Sequence, residues 1–199
     1  MLTHPMTLPC LIIASLALLA PSAQAADDVR LTYTYGLEEV SFTAPGLASS
    51  EDKWDSSTRY ELGLWSIQEG AAFGISGLMH NADLNKTTYD IDYSSIGARA
   101  YLGFSAPISE IITFDIHGFF GYSRSDVTVN MGLNSFNDKG SLLEYGGLAQ
   151  LTYVSEGSTG LLLGVGGGYM LSDGKIDIQG SSSLDQQGIV ITGMLGWRF

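Results

Sequence analysis

The chain has 199 residues, enough for one domain, with 45% hydrophobic residues and 25 glycines. Its 21 acidic and 9 basic side chains give a formal net charge of −12 and a pI of about 4.3, which excludes a nucleic-acid partner because phosphates demand Lys and Arg. Mean hydropathy is still positive, +0.15, so the acidic residues must be segregated from the apolar segments.

The first 25 residues read as a cleaved export signal. "LIIASLALLA" (11–20) is a compact apolar run followed by "PSAQA", with Ala23 and Ala25 forming an A-x-A cleavage pattern. A transmembrane helix needs roughly 18–20 apolar residues, and this run is much shorter. One feature departs from the pattern: the leading "MLTHPMTLPC" carries no Lys or Arg. Cys10 precedes the apolar run, where a lipoprotein cysteine would follow it, and it leaves with the signal. Residues 26–199, the expected mature domain, then hold no thiol for disulfides, metal ligation or nucleophilic chemistry.

From there the sequence alternates with period two in about eight segments, near 29–42, 58–67, 72–80, 93–104, 111–123, 141–154, 159–170 and 187–199. In the first, Val29, Leu31, Tyr33, Tyr35 and Leu37 oppose Arg30, Thr32, Thr34 and Glu38. In the fourth, Ile96, Ala98, Ala100, Leu102 and Phe104 oppose Gly97, Arg99, Tyr101 and Gly103. In the fifth, Ile112, Phe114, Ile116, Phe120 and Tyr122 oppose Thr113, Asp115, His117 and Gly121. In the sixth, Leu143, Tyr145, Leu151 and Tyr153 oppose Glu144, Gln150 and Thr152. The seventh, "GLLLGVGGGYML", is too rich in glycine for a helix. It also lacks the strand–loop–helix context of a phosphate loop. Gly160, Gly164, Gly166 and Gly168 instead thin the inner face of a strand.

The connections alternate in length. Long ones fall near 43–57, 81–92, 124–140 and 171–186, short ones near 68–71, 105–110 and 155–158. About half of the acidic residues lie in the long ones, among them Glu51, Asp90, Asp126, Asp138 and Asp185. Long loops at one end, short turns at the other and strands of about ten residues describe an eight-stranded antiparallel transmembrane β-barrel. A soluble sandwich or lipocalin-like barrel would turn the apolar parity inward. Here that parity carries the bulk and the aromatics, while the other carries Arg99, Asp115, His117, Glu61 and Glu144 among glycines. The second set makes a poor solvent face and a good polar lumen. An even strand count returns both termini to the short-turn side, facing the periplasm.

Eight strands leave an interior just wide enough for side chains, so interior charges have to pair. With the turn after the fourth segment centred near Pro107, Arg99 stands opposite Asp115. The expected lumenal network is therefore an Arg99–Asp115 pair extended by Glu61, Glu144 or His117. His117 and Asp115 share a face, as catalytic partners would, but no serine is uniquely placed beside them, and no catalytic residue is assigned. "YDIDY" and "SDGKID" place carboxylates two and four apart without the glycine and distal Glu of a calcium loop. No metal or other cofactor is expected.

The last strand, "GIVITGMLGWRF", keeps its alternation into Leu195, Trp197 and Phe199. This ending resembles the terminal strand signal of Gram-negative outer-membrane proteins, and its Gly-aromatic-Arg-Phe close is similar to small OmpX/Ail-type and OmpA-like barrels. The resemblance implies a protein of the cell outer membrane, inserted by the barrel-assembly machinery with Phe199 as a key contact. It also implies outer-membrane lipid and lipopolysaccharide as surroundings, and members that are adhesins, serum-resistance factors or structural anchors. The expectation is a monomeric, non-enzymatic surface protein, envelope-structural or adhesin-like through acidic loops that meet a host or matrix ligand. A narrow channel for small solutes or ions and a lipid A-modifying enzyme stay open as alternatives.

Overall fold

The computed structural model describes residues 26–43, 50–132, 134–155, 159–176 and 182–199. The expected signal segment, with Cys10, Ala23 and Ala25, lies outside them. The described residues form strands β1 (Ala26–Thr43), β2 (Ser50–Lys53), β3 (Ser56–Gln68), β4 (Ala71–Asn85), β5 (Asp90–Pro107), β6 (Ile112–Met131), β7 (Asn134–Val154), β8 (Gly160–Ile176) and β9 (Ser182–Arg198). Each pairs antiparallel with its neighbour, and β1 closes the sheet against β9 from Asp28↔Arg198 to Thr43↔Ser183. Closure leaves no free edge, as a bilayer requires.

The barrel has eight long staves although the described residues form nine strands. β1 keeps its β9 partners along Glu39–Phe42, so β2, which pairs with the same residues, must lie on the β3 side. The register runs Tyr35↔Thr58 to β3 and Glu39↔Lys53 to β2. Three residues of β1 thus face four of the partner chain, a one-residue bulge that bends a strand without ending it. β2 continues β3 beyond that bulge, with Trp54 N donating to Glu38 O at 3.2 Å and Asp55 N to Asp83 O at 2.9 Å. The short connection from β3 to β4 is a two-residue hairpin turn, Glu69 (φ 50°) and Gly70 (φ 87°), the positive φ pair of a type I′ turn.

The outer wall carries an apolar band of about 9–11 residues per strand, the length that spans a bilayer. On β6 it runs from Ile112 through Phe120 to Tyr122, and on β9 from Ile189 through Leu195 to Trp197, all exposed. Leu195 and Trp197 thus face outward, and Phe199 follows β9, 64% exposed.

Where they are described, the long connections continue mostly as strand. The segments expected near 81–92, 124–140 and 171–186 are largely strand, because β4–β5, β6–β7 and β8–β9 extend far past the band. The alternation persists there with its sign reversed. On β6 the outward positions change from Phe120 and Tyr122 to Arg124 and Asp126, while the inward ones change from Asp115 and His117 to Val127 and Val129. The strand continues through the point where its polarity flips, so the apolar parity marks only its membrane part. Beyond the flip, Val40, Phe42, Leu84, Val129 and Leu184 pack with Trp54 into an apolar core inside the far end of the barrel. The end opposite the turns is therefore built like a water-soluble protein.

Candidate functional site

The lumen is filled in layers. Nearest the turns, Asp28 accepts hydrogen bonds from Arg30 (2.9 Å) and Arg198 (2.8 and 3.1 Å). Arg30 also lies 3.7 Å from Asp115, which accepts from Thr152 Oγ1 at 2.8 Å. Above these is an apolar and aromatic layer that includes Trp65, Tyr101, Phe119 and Met170. Two guanidiniums lie 4.6 Å from ring centres there, Arg30 over Trp65 and Arg99 over Phe119.

The middle of the barrel holds an alternating chain of charges. Arg99 Nη1 donates to Glu61 at 2.6 Å, and its Nε and Nη2 donate to Glu144 at 3.0 and 2.9 Å. Arg59 forks onto both oxygens of Glu38 at 2.8 Å and reaches Glu144 at 3.9 Å. Tyr101 and Ser76 donate to Glu61. All five charged groups are at most 4% exposed. Such a chain is tolerated in a buried interior because every charge has an opposite neighbour in close, partly bidentate geometry.

Arg99, Glu61 and Glu144 therefore meet, and Asp115 does not join them. The β5–β6 register places Arg99 opposite Gly121 and Asp115 opposite Ser105. The hairpin is centred on Glu110, three residues beyond Pro107, which slides the partner of Arg99 by six residues. The expected Arg99–Asp115 pair is corrected accordingly: Asp115 belongs to the lower cluster with Arg30. His117 joins neither set of charges. It packs on Trp65 and Tyr101 at ring distances of 5.0 and 5.5 Å. Asp28, Arg30, Glu38 and Arg59 are not among the expected network residues, although Arg30 and Glu38 fall on the polar parity of the first segment; Arg198, on the inward parity of the last strand, meets Asp28 at the rim.

The histidine that does meet a serine is His80, whose Nε2 lies 3.1 Å from Ser57 Oγ. Ser57 in turn donates to Glu38 at 2.5 Å. Here the serine, not the histidine, occupies the middle of the set, so the imidazole is not oriented by the acid as a general base requires. Ser57 and His80 are fully buried, beyond reach of a substrate. Among the described residues no group of three or more His, Cys, Asp or Glu is placed to hold a metal ion.

At the far rim, charges lie on the outside. Asp52 accepts from Tyr89 Oη at 2.7 Å and pairs with Lys86 at 2.9 Å. The Tyr89 hydroxyl first, and the ammonium of Lys86 second, hold the Asp52 carboxyl below its ordinary range. The same contact raises Lys86 above the usual lysine value.

A family model for an outer membrane protein beta-barrel domain matches residues 10–199. No curated protein matches the chain. Among solved structures, the attachment invasion locus protein Ail of Yersinia pestis is similar at 13% identity and TM-score 0.48, over 89% of this chain and all of that one. The outer membrane protein OprG of Pseudomonas aeruginosa is similar at 12% identity and TM-score 0.46, over 88% and 96%. The outer membrane protease OmpT of Escherichia coli is similar at 9% identity and TM-score 0.44, over 91% and 99%.

Proposed function

Because the chain belongs to the outer membrane β-barrel domain family and so resides in the outer membrane, we propose that it is a non-enzymatic, non-conducting surface protein that works through its outer wall and far rim, as an envelope-structural element or an adhesin. The carrying observation is the double closure of the lumen. The Glu38–Arg59–Glu144–Arg99–Glu61 chain blocks the middle, and the apolar core around Trp54, Val127 and Leu184 stops the far end. An ion entering from that end meets a packed hydrocarbon layer before it meets any charge. The far end then lies outside the cell and presents an acidic surface supported by rigid strands.

Purified protein reconstituted in planar bilayers is expected to show no steady unitary conductance, and reproducible open levels would overturn the reading. The narrow-channel alternative draws on one feature. A cavity of about 20 Å³ between Arg30, Trp65, Tyr101 and His117 has room for one water, next to buried polar atoms without protein partners such as Arg30 Nε. That water has no continuation through the far-end core.

A further inference from the structure

The 9 basic side chains fall into two groups. Arg30, Lys53, Arg59, Lys86, Arg99 and Arg198 each pair with a carboxylate. Among the described residues, Arg124, Lys139 and Lys175 form no such pair, and these three stand together. All are exposed on the outer wall. Arg124 on β6 faces Ser141 on β7, which faces Lys175 on β8, and Lys139 lies one pleat further along β7. With strands about 4.8 Å apart, the roots of Arg124 and Lys175 are about 10 Å apart, and their long side chains can converge over Ser141. Three exposed carboxylates border the group: Asp126 opposite Lys139, Asp173 two residues before Lys175, and Asp185 opposite Asp173 on β9. None pairs with these cations, and Asp173 accepts the Tyr145 hydroxyl at 3.1 Å.

A second feature adjoins the first. The apolar band beside β6 is hollowed into an open furrow of about 790 Å³, floored by Gly77, Ala98 and Ala100 and walled by Tyr60 and Phe120. A Cβ built at Gly77 meets nothing within 4 Å. Ile96 and Tyr122 line the upper margin. Arg124 lies directly opposite Ile96 and two residues beyond Tyr122. An unpartnered cation cluster thus borders the mouth of an apolar furrow that faces hydrocarbon.

We infer that this pair of features is a binding site for an anionic, phosphate-bearing lipid of the leaflet at the far end. Its phosphate lies on Arg124, Lys139 and Lys175, and one acyl chain descends the furrow over Ala98 and Gly77. A soluble polyanion would use only the cations, and a second copy of the chain would use only the furrow. An amphiphile with both parts uses both. The site goes beyond the surface-protein reading and is independent of whether the lumen conducts.

The test is retention of diphosphoryl lipid A by the full chain in detergent micelles, read by native mass spectrometry against phosphatidylcholine. Lipid A is expected to be retained more strongly. Combined Arg124→Gln, Lys139→Gln and Lys175→Gln should weaken it about a hundredfold, at about fivefold per cation. Gly77→Leu fills the furrow without a clash at its Cβ, so it should weaken lipid A binding while the barrel stays folded, as judged by heat-modifiable gel migration. Unchanged affinity in the triple variant overturns the site, as does equal retention of phosphatidylcholine. Displacement of lipid A by inorganic phosphate, with Gly77→Leu inert, overturns the lipid as occupant. A dimer abolished by Gly77→Leu with lipid A binding intact assigns the furrow to a second copy.

Discussion

Arg99 reaches Glu144 across Gly121, the residue directly opposite it on β6. A Cβ at that glycine would lie 2.6 Å from Arg99 Cγ, so the ion pair exists because its middle position is empty. Removing the arginine would leave the buried Glu61 with no cation and Glu144 with only the longer 3.9 Å contact to Arg59, which already holds Glu38. Arg99→Ala is expected to cost about 3–5 kcal/mol in urea unfolding from lipid vesicles. Replacing Arg99, Glu61 and Glu144 together by apolar residues of similar volume should restore much of that, because no charge is then left alone. A loss confined to the triple variant would contradict this account. At the rim the sign differs. The folded-state value of Asp52 is depressed, so its stabilisation is full above the unfolded carboxylate range and is lost as pH falls through the folded value. Tyr89→Phe removes the largest cause and should move the Asp52 carboxyl titration, followed by NMR, to higher pH. The inward parity of Arg99, Glu61, Glu144 and Asp115 was legible from alternation alone. Their pairing was not, because a partner depends on the turn centre, and "SAPISEII" offers Pro107 and Glu110 as centres with no local signal to choose between them.

Among the elements, the bulge after Tyr35 does the most to shape the far end. It turns Trp54 inward against Tyr93, with ring centres 5.9 Å apart, and lets β2 go on closing the barrel where β3 leaves β1. Trp54→Ala should remove about 3–5 kcal/mol of packing. It should also speed amide hydrogen exchange in 50–55 and 81–93, while exchange in the membrane band stays slow. Uniform exchange across the whole barrel would mean that the far-end core is no separate cooperative unit. The same experiment on the unaltered chain distinguishes strands from loops in 124–131, where protected amides are expected. These strands were hidden in the sequence for a specific reason. Val127 and Val129 lie on the parity that held Asp115 and His117, and a pattern defined by which side is apolar breaks where the solvent outside changes from lipid to water.

Over the whole molecule, one continuous sheet serves two solvents. Below the flip it is apolar outside and polar within, and above it the arrangement is that of an ordinary soluble barrel. The segregation of acidic residues implied by a net charge of −12 and a positive mean hydropathy takes this form. Among the described residues, carboxylates outside the lumen gather mainly on the outer wall of the far half, with Glu69 and Glu110 in the short turns at the other end, and those in the lumen are balanced by arginines. The barrel class was readable from alternation and from the terminal strand, since both are repeated many times along the chain. The lumen's far-end stopper was not, because it is assembled from residues spread between Val40 and Leu184 that adjoin only after closure.

The reversed polarity of the far half also governs what an antibody against this protein could bind. In a flexible acidic loop every side chain of a segment is available to an antibody, and a linear peptide is a fair copy of it. Here, along 124–129, Arg124, Asp126 and Thr128 point outward while Ser125, Val127 and Val129 point into the barrel. The outward residues have as their neighbours Ser141, Lys139 and Asn137 from the next strand, not the residues beside them in sequence. An antibody raised against the free peptide would read a surface that the folded protein never displays. Along these paired strands the accessible epitopes are two-dimensional, made of alternate residues from adjacent strands.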